Sequence, residues 1–316
     1  MRKLLYTLAG LSALALFASC NKEAQLTGGE DGATVKASFT VQLPDAVQTK
    51  AISDGSGATQ LLFKVYDQSN KHLPNLDQTI TVSDRKATVT VNLVKGVKYQ
   101  YVFWAQTPNQ YTLDADNATL TITPADMMNS DAWDAFYWHE PLAEVTAAFS
   151  KTITLRRPFA QINFGSLKAD YQAAEASQVA FDATLKTWIS MEQVPTVLNL
   201  LDGTVGTPKD LAFQSNAWIG NSDSTQFLTV TGFTEVRYVE MAYVLAAPAP
   251  QGQLGKVILN IGGKQNGNDF TATRTVTNVP YCRNYRTHVV GHVFTDEGTF
   301  HVIVEPAYDD NLNKDL

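Results

Sequence analysis

Cysteine is nearly missing: only Cys20 and Cys282 occur in 316 residues. If Cys20 is committed elsewhere, Cys282 has no partner and disulfides contribute nothing to stability. A chain of this length builds a core without them. A lone cysteine nucleophile needs an activating neighbour. Arg283 is adjacent, but strand neighbours point to opposite faces, so Cys282 reads as a buried or edge-strand thiol. A long hydrophobic run is also missing. The run Leu4 to Phe17 has the length of a signal-peptide core, short of the roughly 20 residues that span a bilayer as a helix. Basic clusters are absent too. Twenty-four Lys and Arg stand against 31 Asp and Glu, a net charge of −7. Nucleic acid and anionic lipid headgroups are therefore poor partners, and no nucleic-acid partner is expected.

Catalytic signatures are equally scarce. There is no G-x-S-x-G, C-x-x-C, P-loop or glycine-rich nucleotide turn, and no pair of carboxylates stands out for glycoside hydrolysis. Trp138-His139-Glu140-Pro141 lacks the second histidine of a zinc protease, and proline breaks the helix such a site needs. His288 and His292 lie four apart, but their flanks read as strand. There they would stand about 13 Å apart, too far to chelate one ion, with His301 on the next strand. Asp114, Asp116 and Asn117 form a short acidic loop without the glycine and bidentate Glu of a calcium loop, and read as a solvated turn. The chain is expected to be no enzyme and to carry no metal or cofactor. No repeat of 20–50 residues is visible, which disfavours a propeller or solenoid.

What is present begins at the N-terminus. Arg2 and Lys3 precede the apolar run, and Ala18, Ser19 and Cys20 follow it. This arrangement resembles the bacterial lipobox, which implies a leader over 1–19 and lipidation of Cys20. An ordinary secretory signal cleaved nearby is the other reading. Losing Arg2 and Lys3 takes the net charge from −7 to −9. An acidic protein would then depend on its lipid for anchoring, and stable anchoring needs more than one acyl chain, palmitate being one such chain. Residues 20–34, rich in Gly, Glu, Asp and Thr, read as a flexible tether.

Beyond the tether, alternation with period two dominates. Val35, Ala37, Phe39, Val41 and Leu43 are apolar, with Lys36, Ser38, Thr40 and Gln42 between them. That is a half-buried strand. The pattern returns at 61–65, 87–93, 99–105, 120–122 and 153–164. It continues around 180–189, 226–231, 236–246, 256–261, 269–277, 287–294 and 299–305. Asp54-Gly55, Asp202-Gly203, Gly262-Gly263 and Asn266-Gly267 supply turns, and Lys256 to Thr277 reads as a hairpin. Helix signals are limited to Pro124 through Trp133 and Ala169 through Gln178. The fold expected is all-β, antiparallel sandwiches with few short helices. At this length two are needed: 35–149 and 150–316.

Four segments, in order, resemble the fimbrillin-like lipoproteins of Bacteroidales, the superfamily of the type V pilus subunits. They are the strand 35–43 with Thr49-Lys50-Ala51 and Leu61-Leu-Phe-Lys-Val-Tyr-Asp; Leu155-Arg-Arg-Pro-Phe-Ala-Gln-Ile-Asn-Phe; Val194-Pro-Thr-Val-Leu-Asn-Leu-Leu-Asp-Gly-Thr-Val; and Val279-Pro-Tyr-Cys-Arg-Asn-Tyr-Arg-Thr-His-Val-Val-Gly. The likeness is to a sub-group apart from the major shaft subunits. It implies two tandem transthyretin-like β-sandwiches on a lipid-anchored protein of the outer membrane or cell surface, serving as pilus subunit, anchor or adhesin. It further implies that a trypsin-like protease cuts after the first strand, and that another subunit's strand fills the groove so opened, which is β-augmentation. Here Val35, Ala37, Phe39, Val41 and Leu43 would be the replaceable strand. Lys50, the only basic residue in the loop Pro44–Gln60, would be the processing site, standing where an arginine-specific protease would want Arg. Residues 299–305 read either as a donor or as the closing strand of the second sandwich, and Pro306 ends them. The alternative function is a non-polymerising surface lipoprotein that binds a host or microbial glycan or protein. Its contacts would be exposed aromatics of a loop over 133–138, such as Trp133 or Trp138, which are otherwise core anchors.

Overall fold

The computed structural model describes residues 32–44, 55–123, 130–214, 227–230, 232–249, 252–295 and 299–305. Cys20, most of the tether, Lys50 and the first part of the helix expected from Pro124 lie outside them. The chain is nearly all strand. In order run β1 Thr34–Gln42, β2 Gln60–Asp67, β3 Gln78–Thr81, β4 Lys86–Val94, β5 Lys98–Gln106, β6 Leu113–Asp114, β7 Thr119–Thr121, β8 Ala135–Glu144, β9 Phe149–Thr154 and β10 Phe159–Leu167. The single described α-helix, α1, spans Lys168–Ala176, close to the expected position. It is followed by β11 Lys186–Asn199, β12 Val205–Gln214, β13 Leu228–Val230, β14 Phe233–Leu245, β15 Gln253–Gln265, β16 Asn268–Tyr281, β17 Arg286–Gly291 and β18 Phe300–Glu305.

Four sheets pair into sandwiches. The first sheet has the order β4-β1-β9 and faces the second, β3-β2-β5-β8. Between them lies a core of Phe39, Val41, Leu61, Phe63, Val89, Tyr101, Phe103 and their neighbours. The third sheet, β16-β15-β11-β7-β6 with β12 alongside β11, faces the fourth, β13-β14-β10-β17-β18. Ile162, Phe164, Ile189, Leu198, Val244, Leu259 and Val289 belong to this second core. Pairing is antiparallel except at β1–β9 and β10–β17, which run parallel.

Alternation serves the half-buried strands well. Along β4, Ala87, Val89, Val91 and Leu93 are buried and the residues between them exposed. β5 differs: every residue from Tyr99 to Gln106 is buried. Its odd positions enter the first core, while Val102 and Trp104 enter the second. The second sheet is thus a wall shared by both cores. The aromatics expected in a loop over 133–138 instead belong largely to strand β8, an edge of that wall.

Several boundaries differ from expectation. The division at residue 150 falls inside β9, which lies parallel to β1 in the first sheet. The small hairpin β6–β7 leaves the first half of the chain and pairs with β11 of the third sheet. The continuous strand expected over 153–164 is interrupted at 155–158, where the chain crosses between sandwiches. The strand expected at 180–189 begins at Lys186 and runs on to Asn199. Of the helix expected to end at Trp133, the described part is a single 3-10 turn, Asp131–Trp133, capped by Ser130, whose hydroxyl accepts the Ala132 amide. The hairpin at Asn266-Gly267 forms as the sequence indicates: both residues have positive φ, 55° and 77°, and Gln265 pairs with Asn268.

Candidate functional site

The strand singled out in the sequence, β1, occupies the middle of a three-stranded sheet. It pairs antiparallel with β4 from Thr34↔Val94 to Gln42↔Lys86. On its other side it pairs parallel with β9 from Ala37↔Phe149 to Gln42↔Thr154. Ala37 and Phe39 are 0% exposed, Val41 2% and Leu43, just past the strand end, 6%. Val35 is half-buried at the rim. The Phe39 ring is the centre of an aromatic cluster, its centroid 5.0 Å from Tyr101, 5.2 Å from Phe103, 5.5 Å from Phe149 and 5.9 Å from Phe63. Such ring pairs add to the burial energy. The sequence reading gave no part to Phe149 and β9, the second wall of this slot. β9 begins at Phe149, ahead of the strand expected from 153; Ser150, Lys151 and Thr152 leave no alternation to read there.

The two candidate tryptophans do not make one platform. Trp133 is 8% exposed and lies against Tyr111 in the second core, ring centroids 5.5 Å apart. Trp138 stands in β8, half-buried against the first core. Its indole N–H donates to Glu140 Oε2 at 3.2 Å, and the Arg156 guanidinium lies 6.0 Å from its ring.

The remaining chemical candidates are separated from one another. His288 is buried on β17, where it meets the Tyr238 hydroxyl and lies 3.2 Å from Glu305. His292 lies beyond the end of β17 and contacts Thr295 at 3.3 Å and Asp170 at 3.8 Å. His301 is exposed opposite Val290. Among the described residues, no three of His, Cys, Asp or Glu lie together as a metal site. Asp114 closes a turn by accepting the side-chain and backbone N–H of Asn117, which hold its carboxyl below the usual range. Cys282 is buried, and burial pushes its thiol up. Arg283 turns away to donate to the carbonyls of Ala246 and Gly203, so the thiol lacks the activation a nucleophile needs. No helix among the described residues is long and apolar enough to cross a membrane.

Solved structures share this architecture. The chain is similar to a Bacteroides thetaiotaomicron VPI-5482 protein of the DUF1812 group proposed to bind polysaccharide, with a TM-score of 0.50 and 13% identity over 86% of this chain and 96% of that one. It is also similar to a proposed adhesin of the same organism, with a TM-score of 0.48 and 10% identity over 86% and 97%. A fimbrial assembly protein of Parabacteroides distasonis ATCC 8503 matches with a TM-score of 0.43 and 10% identity over 86% and 96%. At such identities the likeness is one of fold. No curated protein matches the chain. One family model covers nearly all of it, residues 29–315, and the chain belongs to that family, the family of unknown function DUF6562.

Proposed function

We propose that this chain is a lipid-anchored cell-surface protein of adhesion or fimbrial assembly, in which β1 is an exchangeable strand. The observation that carries the reading is the position of β1, hydrogen-bonded on both sides and filling the first core with Ala37, Phe39, Val41 and Leu43. Taking it out would leave two facing strand edges about one strand apart and an open apolar slot. Burial of one large apolar side chain contributes about 1.5–3 kcal/mol. Phe39, Val41 and Leu43 together therefore weigh against a whole-domain stability of only ~5–15 kcal/mol. A sandwich without β1 has to be refilled. A strand from another copy or another subunit is the natural occupant, because it restores backbone bonds and pockets together.

Lys50 is the proposed processing site and Cys20 the proposed lipid site. Cleavage after Lys50 would release the lipid together with β1, so the remainder would hold to the surface only through its new strand. Without cleavage, Cys20 keeps the protein in place as an anchor or fixed adhesin. Limited trypsin treatment of the mature chain, in the presence of a labelled peptide of residues 34–43, tests this. Cleavage near Lys50 with uptake of the peptide is expected. A chain left uncut in that loop, taking up no peptide, would overturn the exchange mechanism.

A further inference from the structure

A second feature lies on the far side of the shared wall from β1. Turns from both sandwiches meet there around a cavity of about 420 Å³, within the ~300–1,000 Å³ usual for small-molecule sites. Asn70, Gln100, Asp116, Asn117, Asn199 and Asp202 supply its polar lining. It opens to solvent at Asp116, whose side chain is 93% exposed.

The walls are held before any ligand arrives. Asn199 Oδ1 accepts the Leu201 amide at 2.8 Å, and Asp202 Oδ1 accepts the Thr204 amide and hydroxyl at 2.8 and 2.7 Å. Tyr137 donates its hydroxyl to the Leu200 carbonyl, and Arg283 donates to that of Gly203. The Leu200 amide is tied to the Ala118 carbonyl at 2.7 Å. Asn70, at φ 61°, accepts the Gln100 amide through Oδ1 at 2.6 Å. Asn117 donates its amide to Asp114.

Asn117, Asn199 and Asp202 each spend one polar atom on their own turn, Asn70 spends one on Gln100 of β5, and each of the four keeps another. Among the described residues, the Nδ2 groups of Asn70 and Asn199, Oδ1 of Asn117 and Oδ2 of Asp202 have no protein partner. With Oδ2 of Asp116, whose Oδ1 lies 3.4 Å from His72 Nδ1, two amide donors and three oxygen acceptors are left around one cavity. Directly across the strand pair from Gln100, Tyr66 is fully buried, and its hydroxyl also has no partner.

The composition of the lining selects the ligand. No Lys, Arg or His lines the cavity, so an anion finds no counter-charge. The two lining carboxylates belong to no metal-holding cluster. Ala118 and Leu201 are its only apolar members, too few for an aromatic or lipid ligand. A vicinal diol fits: each hydroxyl both donates and accepts, matching a lining that offers amide donors together with amide and carboxylate acceptors. We propose that this cavity binds a neutral hexopyranose unit, free or at the end of a glycan. The proposal is independent of strand exchange, since β1 packs on the opposite face of the shared wall.

Saturation-transfer NMR on the full mature chain, run in EDTA, tests it with glucose, galactose, mannose and N-acetylglucosamine, and with sialic acid and glucose 6-phosphate as charged probes. A glycan array distinguishes a free sugar from a chain end. Binding of at least one neutral sugar, alone or as a glycan terminus, is expected, with neither charged probe bound. Asn70→Gly keeps the left-handed backbone and removes the amide, and should weaken binding about tenfold. Leu201→Trp should fill the cavity and abolish binding; should that variant not fold, Asn70→Gly carries the test. Binding of no neutral sugar in either format, binding that needs added calcium, or equal affinity in Asn70→Gly would each overturn the assignment.

Discussion

Asp134 and Arg157 show how much of this protein's architecture depends on single buried contacts. Arg157 Nε and Nη2 reach Asp134 Oδ1 and Oδ2 at 2.7 and 2.8 Å, and both side chains are almost fully buried. The guanidinium lies 4.5 Å from the Phe136 ring. Gly55, at φ 72°, closes over this arrangement; a Cβ there would come within 2.5 Å of the ring. The adjacent Arg156 points the other way, toward Trp138. The pair in Leu155-Arg-Arg-Pro is therefore two residues with two jobs, a distinction that identical letters hide. Removing one member of a buried ion pair costs about 3–5 kcal/mol, because the other charge remains buried, whereas replacing both by apolar groups costs much less. Arg157→Ala and Asp134→Ala should each lower the urea midpoint strongly. The double variant Asp134→Leu/Arg157→Met should lose markedly less than the sum. Equal losses from the double and the summed single changes would mean that the pair is not the source of the effect. Trp133→Ala belongs to the same class: a buried indole against Tyr111 should cost about 3–5 kcal/mol in stability, and Trp138→Ala, half-exposed in β8, should cost much less.

At the scale of elements, β1 makes a directional demand. Its neighbours run antiparallel on one side and parallel on the other, and the two ladders have different hydrogen-bond patterns. A replacing strand can satisfy both only by running in the sense of β1. A peptide of residues 34–43 should therefore enter the vacated slot with Thr34 beside Val94 and Gln42 beside Lys86, so that a crosslinker at its Thr34 end joins β4 near Val94 and not near Lys86. Phe39→Ala in that peptide should weaken uptake by at least about tenfold, given the ~3–5 kcal/mol that truncating a buried Phe usually costs. Native mass spectrometry of the trypsin-treated chain reads uptake and peptide mapping reads the crosslink; a crosslink near Lys86 would refute the directional match. The same element explains what sequence could reveal. β1, β4 and β16 alternate because one face is wet, and the Asn266-Gly267 turn is written in its residues. β5 and β10 are legible as strands at 99–105 and 153–164, but both of their faces are buried, and the sequence does not show that the second face of each is covered. β8 looked like a loop because Phe136-Tyr-Trp-His-Glu-Pro has no alternation and Pro141 interrupts it; on an edge strand a proline is tolerated. The Asp84-Arg85 turn, φ 48° and 61°, was invisible because an arginine carries no turn signal. The polar cavity was the least legible feature. Asn70, Asn117 and Asn199 are distant in sequence, and only tertiary packing gathers them.

At the scale of the whole molecule, the shared wall ties the two sandwiches together, and its tyrosines make that tie sensitive to base. Tyr101 faces the first core, Tyr66 and Tyr111 the second, and Tyr137 joins the wall to the turn at Leu200. Burial raises all four phenols above the ordinary value of 10, and nearby carboxylates push Tyr66 and Tyr111 further. In the second sandwich, Tyr281 is pushed up to about 12 by burial. In the unfolded chain all five ionise near pH 10. Each is thus a group whose folded pKa lies above its unfolded one. Its contribution to stability is complete below pH ~10 and is lost as pH rises through the folded value. Stability should accordingly hold from neutral to about pH 10 and then fall steeply toward pH 12. Because the cores share one wall, loss of structure should reach both sandwiches over the same interval. Phenolate absorbance and near-UV circular dichroism, followed together from pH 8 to 13, check this. The buried phenols should ionise only as the near-UV signal collapses, with one midpoint for both. Complete tyrosine ionisation near pH 10 with the native near-UV spectrum intact would show that these hydroxyls reach water, and the wall would then not be the closed, doubly covered layer that joins the two cores.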